Sequence, residues 1–250
     1  VRSYLAAGQA DKASAFIAKV LSDNPKNSDA LALRAAMKEL AGDLAASEAD
    51  LKGIVELLPD GVRSHELLAD FYLRTGQMEK FYQTVETSLE KGAEFAVLRM
   101  RRAGVKEQEG AFAEAVADYQ AILDAAPGNL VAINNFVSLV SDHFRDNDEL
   151  MARAREIAPV LGTTAIPEFQ DTYGWLLYLN EDHEDALRAL IPAARALPNN
   201  PWVRYHVGMT YAALNQVDLA VENLETALTL AENQPFAAAD TARSALLTLR

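Results

Sequence analysis

The sequence predicts an all-α solenoid, and three observations lead there. Gly8, Gly42, Gly76 and Gly110 stand 34 residues apart. Pro25, Pro59 and Pro127 keep the same step, separated by 34 and then 68 residues. The stretch DTYGWLLYLNEDHEDALRALIPAARALP, residues 171–198, falls on YHVGMTYAALNQVDLAVENLETALTL when moved 34 places, so that Gly174 meets Gly208, Ala186 meets Ala220, Leu190 meets Leu224 and Ala193 meets Ala227. A fixed period of this length marks a stack of supersecondary units, each covering its neighbour's apolar face. Half of the 250 residues are hydrophobic, which is enough to bury a substantial core.

Each period reads as a helix, a short turn, a second helix and a closing proline. The turn glycine lies just past the first helix, where a left-handed residue is needed. In the last two periods Glu181 and Asn215 take its place; Asn tolerates that conformation better than Glu. Small residues recur where the two helices meet. They are Ala35, Ala69, Ala103, Gly174 and Gly208 on the first helix, and Ala13, Ser47, Ala115, Ala186 and Ala220 on the second. A glycine inside a helix costs roughly 1 kcal/mol, so Gly174 and Gly208 should be offset by closer packing.

The repeats run 1–27, with Val1 already inside a first helix, then 28–61, 62–95, 96–129, 130–166, 167–200 and 201–234. The fifth of these, 130–166, has 37 residues, the excess lying around SDHFRDNDELMARAREIAPVLGTTAIP. In 62–95, Phe81 occupies a normally small site and Ala93 stands where a proline should close the unit, which predicts shifted packing. A last segment, 235–250, reads as a capping helix that places Phe236, Ala239, Ala242, Leu246 and Leu247 over Leu224, Ala227 and Leu228.

The glycine, alanine and proline positions match the pattern W-x2-L-G-x2-Y…A-x3-F…P, and the chain resembles the tetratricopeptide repeat family over essentially its whole length. The resemblance implies one right-handed superhelix of antiparallel helix pairs. It also implies a concave groove, lined by the first helices, that holds a partner's peptide. Carried to this chain, that groove comprises Glu66, Asp70, Met100, Asn134, Asn135, Ser138, Asp171, Trp175, Tyr178, Trp202, Tyr205, His206 and Met209. Rings supply contact area and amides supply backbone hydrogen bonds. A second reading packs the rings between repeats or under the last helix. The chaperone-adaptor branch of the family grips a carboxylate with Lys and Asn; here Asn134 and Ser138 stand at those places, which argues against that role.

Charge and motifs narrow the chemistry. A net charge of −13 repels nucleic acid and anionic lipid, so the expected partner is a protein or peptide. There is no cysteine, and no apolar run approaches the ~18 residues of a membrane span. No P-loop, dinucleotide fingerprint, nucleophile elbow or zinc-protease motif occurs. The expectation is therefore no catalytic residue, no cofactor and no metal. DHFRDND, residues 142–148, gathers carboxylates in what reads as the longest connection between helices, with Asp146 or Asp148 capping the next one. Its spacing lacks the order of a calcium loop. Arg99, Arg101, Arg102 and Lys106 form the one basic cluster, read as a solvated face paired with acids or else as a dock for an acidic segment.

The C-terminal third is similar to bacterial tetratricopeptide proteins of exopolysaccharide export and the exosortase (PEP-CTERM) system. The residues that carry this are NNFVSLVSDHFRDNDELMARAREIAP, then QDTYGWLLYLNEDHEDALRALIPAARALPNNPWVRYHVGMTYAALNQVDLAVENLETAL, then a Phe and a closing Ala/Leu helix. That resemblance implies a scaffold in a periplasmic or envelope assembly. The alternatives are a cytoplasmic location and a regulatory or substrate-presenting arm of a larger enzyme such as a glycosyltransferase. The sequence ahead of Val1 would separate them.

Overall fold

The computed structural model describes residues 3–4, 7–92, 96–233 and 236–250; Val1, Ala93 and the junction at 234–235 lie outside them. The described residues form helices and connections, with no strand among them. The chain divides into two compact units, residues 1–105 and 106–250.

The first unit holds α1 (Ala10–Asp23), α2 (Ser28–Leu40), α3 (Leu44–Leu57), α4 (Val62–Arg74), α5 (Met78–Leu89) and most of α6 (Ala96–Gln108). The second holds α7 (Phe112–Ala125), α8 (Leu130–His143), α9 (Asp148–Ile157), α10 (Pro159–Gly162), α11 (Pro167–Leu179), α12 (His183–Ala196), α13 (Pro201–Ala213), α14 (Val217–Leu230), a 3-10 turn (Ala231–Asn233) and α15 (Ala239–Leu249). Helix pairs follow the 34-residue step read from the sequence, and the fold is a tetratricopeptide-type α-solenoid.

The turns follow from their residues. Gly42 and Gly76 adopt φ of 80° and 71°, and Glu181 and Asn215 adopt 66° and 57° at the equivalent places. Glu181 therefore holds a left-handed conformation that costs a non-glycine residue. Entry to the next helix is set by an asparagine two residues after the proline. Asn27, Asn129 and Asn200 each accept hydrogen bonds from backbone N–H groups of the first turn that follows.

Small residues sit where the helices meet. Ala35, Ala69, Ala103, Ala115, Ala186 and Ala220 are buried, and Ser47 spends its hydroxyl on the carbonyl of Ala35 at 2.9 Å. A Cβ on Gly174 would lie 2.6 Å from Leu190 Cγ, and one on Gly208 would lie 2.8 Å from Leu224 Cγ. Val203 and Val207 pack back onto Ala186, Leu190 and Ala193 of α12. Phe81 is fully buried in the first unit's core with Val85 and Leu98, and a cleft of about 280 Å³ runs along Val55, Leu68, Tyr72 and Thr84 of the same unit.

The first unit also buries charge. Asp50 receives both Nε and Nη2 of Arg34 at 2.8 and 2.7 Å, and Lys38 Nζ at 2.9 Å. Burial pulls its carboxyl upward, and the two cations outweigh burial and hold it below the usual carboxylate range. Glu48 gathers Lys52, Lys80 and the Tyr72 hydroxyl, which hold its pKa down at about 2.

Repeat 130–166 departs from the rest. Its turn, residues 144–147, carries no left-handed residue and is no longer than the other four-residue links. The expectation of a longest connection there is corrected: the excess is spread along the repeat, and the second helix is split. Pro159 has no N–H to continue α9 and opens the four-residue α10 instead. Gly162 ends α10 under the ring of Tyr173, whose Cδ1 would lie 2.5 Å from a Cβ at that position. The cap is also corrected. Neither Asp146 nor Asp148 caps α9; Asn147 does, accepting from the N–H of Leu150 at 3.1 Å.

The last helix covers the end of the second unit, in a register that differs from the expected one. Ala238, Ala242 and Leu246 are buried, and Phe236, Ala245 and Leu249 pack around them against Leu224, Ala227 and Leu228. Leu247, expected on that face, is 79% exposed. Arg250 ties the end of the helix to Glu225.

Candidate partner-binding face

The first helices of three successive repeats, α8, α11 and α13, touch in order, and α15 closes the row. Side chains spaced three and four apart share a helix face. Asn134, Ser138 and Asp142 therefore line up on α8, Asp171, Trp175 and Tyr178 on α11, and Trp202, Tyr205 and Met209 on α13.

Trp175 is the centre of this row. Its ring stacks on Tyr178 at 4.6 Å and 7°, and on His206 at 4.3 Å and 18°. His206 is anchored in turn, its Nδ1 donating to Asp171 at 2.9 Å. Tyr205 lies 5.6 Å from Trp175. Trp202 and Tyr205 each meet Phe236 edge-on, at 5.0 and 5.8 Å. Trp175 and Tyr205 are each 5% exposed and His206 is 7% exposed, so these three are packed within the unit. Tyr178, Trp202, Met209, Asn134, Ser138 and Asp171 are half-buried and line the accessible surface beside them.

The electrostatics of this row follow from crowding. Desolvation lifts the Asp142 carboxyl above the usual carboxylate range, against the pull of His206, His143, Arg145 and the Trp175 N–H. Burial likewise pushes the Tyr205 hydroxyl up to about 12. The Arg145 guanidinium sits over the Trp175 ring, 5.5 Å from its centre, with Nε donating to the Ser141 carbonyl at 2.7 Å. Three buried polar atoms find no well-formed hydrogen bond among the described residues: the Trp175 Nε1 donor, the Asn134 Oδ1 acceptor and the Ser141 hydroxyl. Buried donors and acceptors are nearly always paired, so these three stand out in this row.

The other expected residues fall elsewhere. Asn135 turns toward α7, donating to the Tyr119 hydroxyl at 3.3 Å. Met100 lies on α6 in the first unit, as do Glu66 and Asp70 on α4, with Asp70 paired to Arg101. Lys106 of the basic cluster pairs with Glu114 at 2.6 Å. Asp142, Arg145 and Phe236 were not among the expected groove residues. Asp142 could have been found, because it continues the four-residue step from Asn134 and Ser138. Among the described residues no cluster of three His, Asp or Glu converges as metal ligands do.

Comparison with known proteins agrees with this fold. The tetratricopeptide repeat profile matches residues 203–234. No curated protein sequence matches the chain. A tetratricopeptide repeat protein from Parabacteroides merdae superposes with a TM-score of 0.53 at 14% identity, over 99% of this chain and 95% of that one. A chain of the APC/C hetero-tetramer Cut9–Hcn1 gives 0.57 at 13% identity, over 99% of this chain and 48% of that one. PilF of Pseudomonas aeruginosa gives 0.59 at 12% identity, over 87% and 96%. At these identities the likeness is one of fold. The matched repeat and the shared architecture both identify a tetratricopeptide-type solenoid.

Proposed function

We propose that this chain is a non-enzymatic scaffold that holds an extended segment of a partner protein along the α8–α11–α13 face. The observation that carries this is the half-buried row of Tyr178, Trp202 and Met209 beside the amide of Asn134 and the hydroxyl of Ser138. An extended peptide offers apolar side chains to such rings and backbone carbonyl and N–H groups to such polar side chains. A solved relative in fold, from the hetero-tetramer Cut9–Hcn1, is seen in a complex with another protein, which supports the same use here. Affinity should be about micromolar, roughly −8 kcal/mol, because a short segment loses conformational freedom on binding. The setting we propose is a bacterial envelope assembly for exopolysaccharide export. It is supported by the resemblance of residues 134–159 and 170–228. No helix among the described residues is long and apolar enough to cross a membrane, so attachment to a membrane through this segment is not part of the proposal.

The test is site-specific photo-crosslinking of the full-length protein in its native host. A benzophenone side chain at Trp202 or Met209 should capture one protein that the same group at Leu247, on the exposed side of α15, does not. Equal capture from all three positions would overturn the proposal. Trp175 and Tyr205 are unsuitable probes, because both are buried and their replacement would disturb packing.

A further inference from the structure

Arg145 belongs to the one turn of the second unit, between paired helices, that no left-handed residue shapes. Arg145 is an exposed residue, and its Nε donates one hydrogen bond, to the Ser141 carbonyl at 2.7 Å. The guanidinium nonetheless lies over the ring of Trp175, and its charge acts on the hydroxyls of Tyr178 and Tyr205 and on the carboxylate of Asp142. A planar cation among aromatic faces, with a carboxylate beside it, is how proteins recognise arginine and related cations. Here the chain supplies the cation itself. The Trp175 indole N–H beneath it still lacks a well-formed hydrogen bond, so the enclosure is not fully satisfied by its own residues. Asp171 adds a second carboxylate on the same face, and the chain carries a net charge of −13, so the long-range field draws cationic segments toward it.

We propose that the enclosure formed by Trp175, Tyr178, Tyr205 and Asp142 is a recognition site for an arginine side chain of a partner polypeptide, and that Arg145 occupies it as an internal stand-in which the partner displaces. The inference rests on the partner-binding reading above. It adds that the segment bound there is basic and places one arginine on Trp175. Exchange of one guanidinium for another keeps a cation over the Trp175 ring throughout. The Arg145 stand-in therefore weakens binding by competition and screens the site from unrelated apolar segments.

The experiment uses the full chain and L-argininamide, followed by the indole N–H resonance of Trp175 in NMR spectra; a Trp202→Phe variant distinguishes the two tryptophans. In Arg145→Ala the probe should shift that resonance saturably, at least fivefold more tightly than in the parent. Adding Asp142→Asn should abolish the shift, and L-norleucinamide should produce none. Arg145→Gln, which keeps a polar side chain in the turn, repeats the measurement should Arg145→Ala lose its native spectrum. Equal affinity in parent and variants, or no saturable shift in either variant, overturns the proposal. A random heptapeptide library panned on the parent separates it from the broader reading. Binders that compete at Trp202 and carry arginine support both readings. Binders that compete there without arginine leave the groove standing and overturn this inference. A library with no binder at Trp202 overturns both.

Discussion

Replacing Gly174 by alanine should destabilise the second unit, although alanine is the better helix former. Removing a glycine from a helix interior gains about 1 kcal/mol in propensity. Against this, the new Cβ would stand 2.6 and 2.8 Å from Cγ and Cδ2 of Leu190 and 3.2 Å from the carbonyl oxygen of Ala186. Leu190 is fully buried, so its branch point has no free space to move into. Overpacking of this kind costs about 1–3 kcal/mol, leaving a net loss of about 0–2 kcal/mol. Two internal controls share the chemistry but not the crowding. Gly53 in α3 and Gly104 in α6 have nothing within 4 Å of a built Cβ, so Gly53→Ala and Gly104→Ala should each stabilise by about 0.5–1 kcal/mol. Urea unfolding followed by circular dichroism gives the midpoints. Combining Gly174→Ala with Leu190→Ala should show coupling, because the smaller residue removes the clash. The reasoning is refuted if Gly174→Ala raises the midpoint as Gly104→Ala does.

Three further outcomes are expected. Asn200→Ala should cost about 1 kcal/mol by orphaning the N–H groups of Trp202 and Val203, whereas Gln216→Ala, at a helix start with no side-chain cap, should be near neutral in the same urea titration. Glu48 is held at about 2 against an ordinary 4.5, so its contribution is complete above pH 4.5 and is lost as pH falls through about 2; the unfolding midpoint of Glu48→Gln should fall less steeply than the parent's across that window. Leu246→Ala should cost about 2–5 kcal/mol and Leu247→Ala less than about 0.5 kcal/mol in thermal melts, since one is 8% and the other 79% exposed; the reverse order would refute the observed register of α15.

Much of the fold was legible because the repeat writes its geometry into single residues. A left-handed turn needs glycine or a tolerant substitute, and the 34-residue step alone points to Glu181 and Asn215 as those substitutes. A close helix crossing needs a small side chain, and the same step marked Gly174 and Gly208. Repeat 130–166 was less legible because its excess residues leave no single mark. Pro159 signals a break, but the sequence does not say whether the chain bulges into a loop or, as here, starts a new helical turn; the choice depends on Gly162 fitting under Tyr173, a contact between helices.

The binding face divides along the same line. Periodicity assigns Trp175, Tyr178, Trp202, Tyr205 and Met209 to one side of their helices. It could not say which of them remain accessible, because cover comes from residues with no place in the period. His206 stacks on Trp175 only because Asp171, one repeat earlier, holds its Nδ1. Phe236 reaches Trp202 and Tyr205 from beyond the last repeat. Arg145 arrives from a turn, where side-chain direction follows no helical rule. Burial of a ring on a helix face is thus a property of its neighbours' reach. A stripe read from sequence marks where a partner could bind, and the side chains that arrive from outside the repeat decide which part of that stripe is still free to bind it.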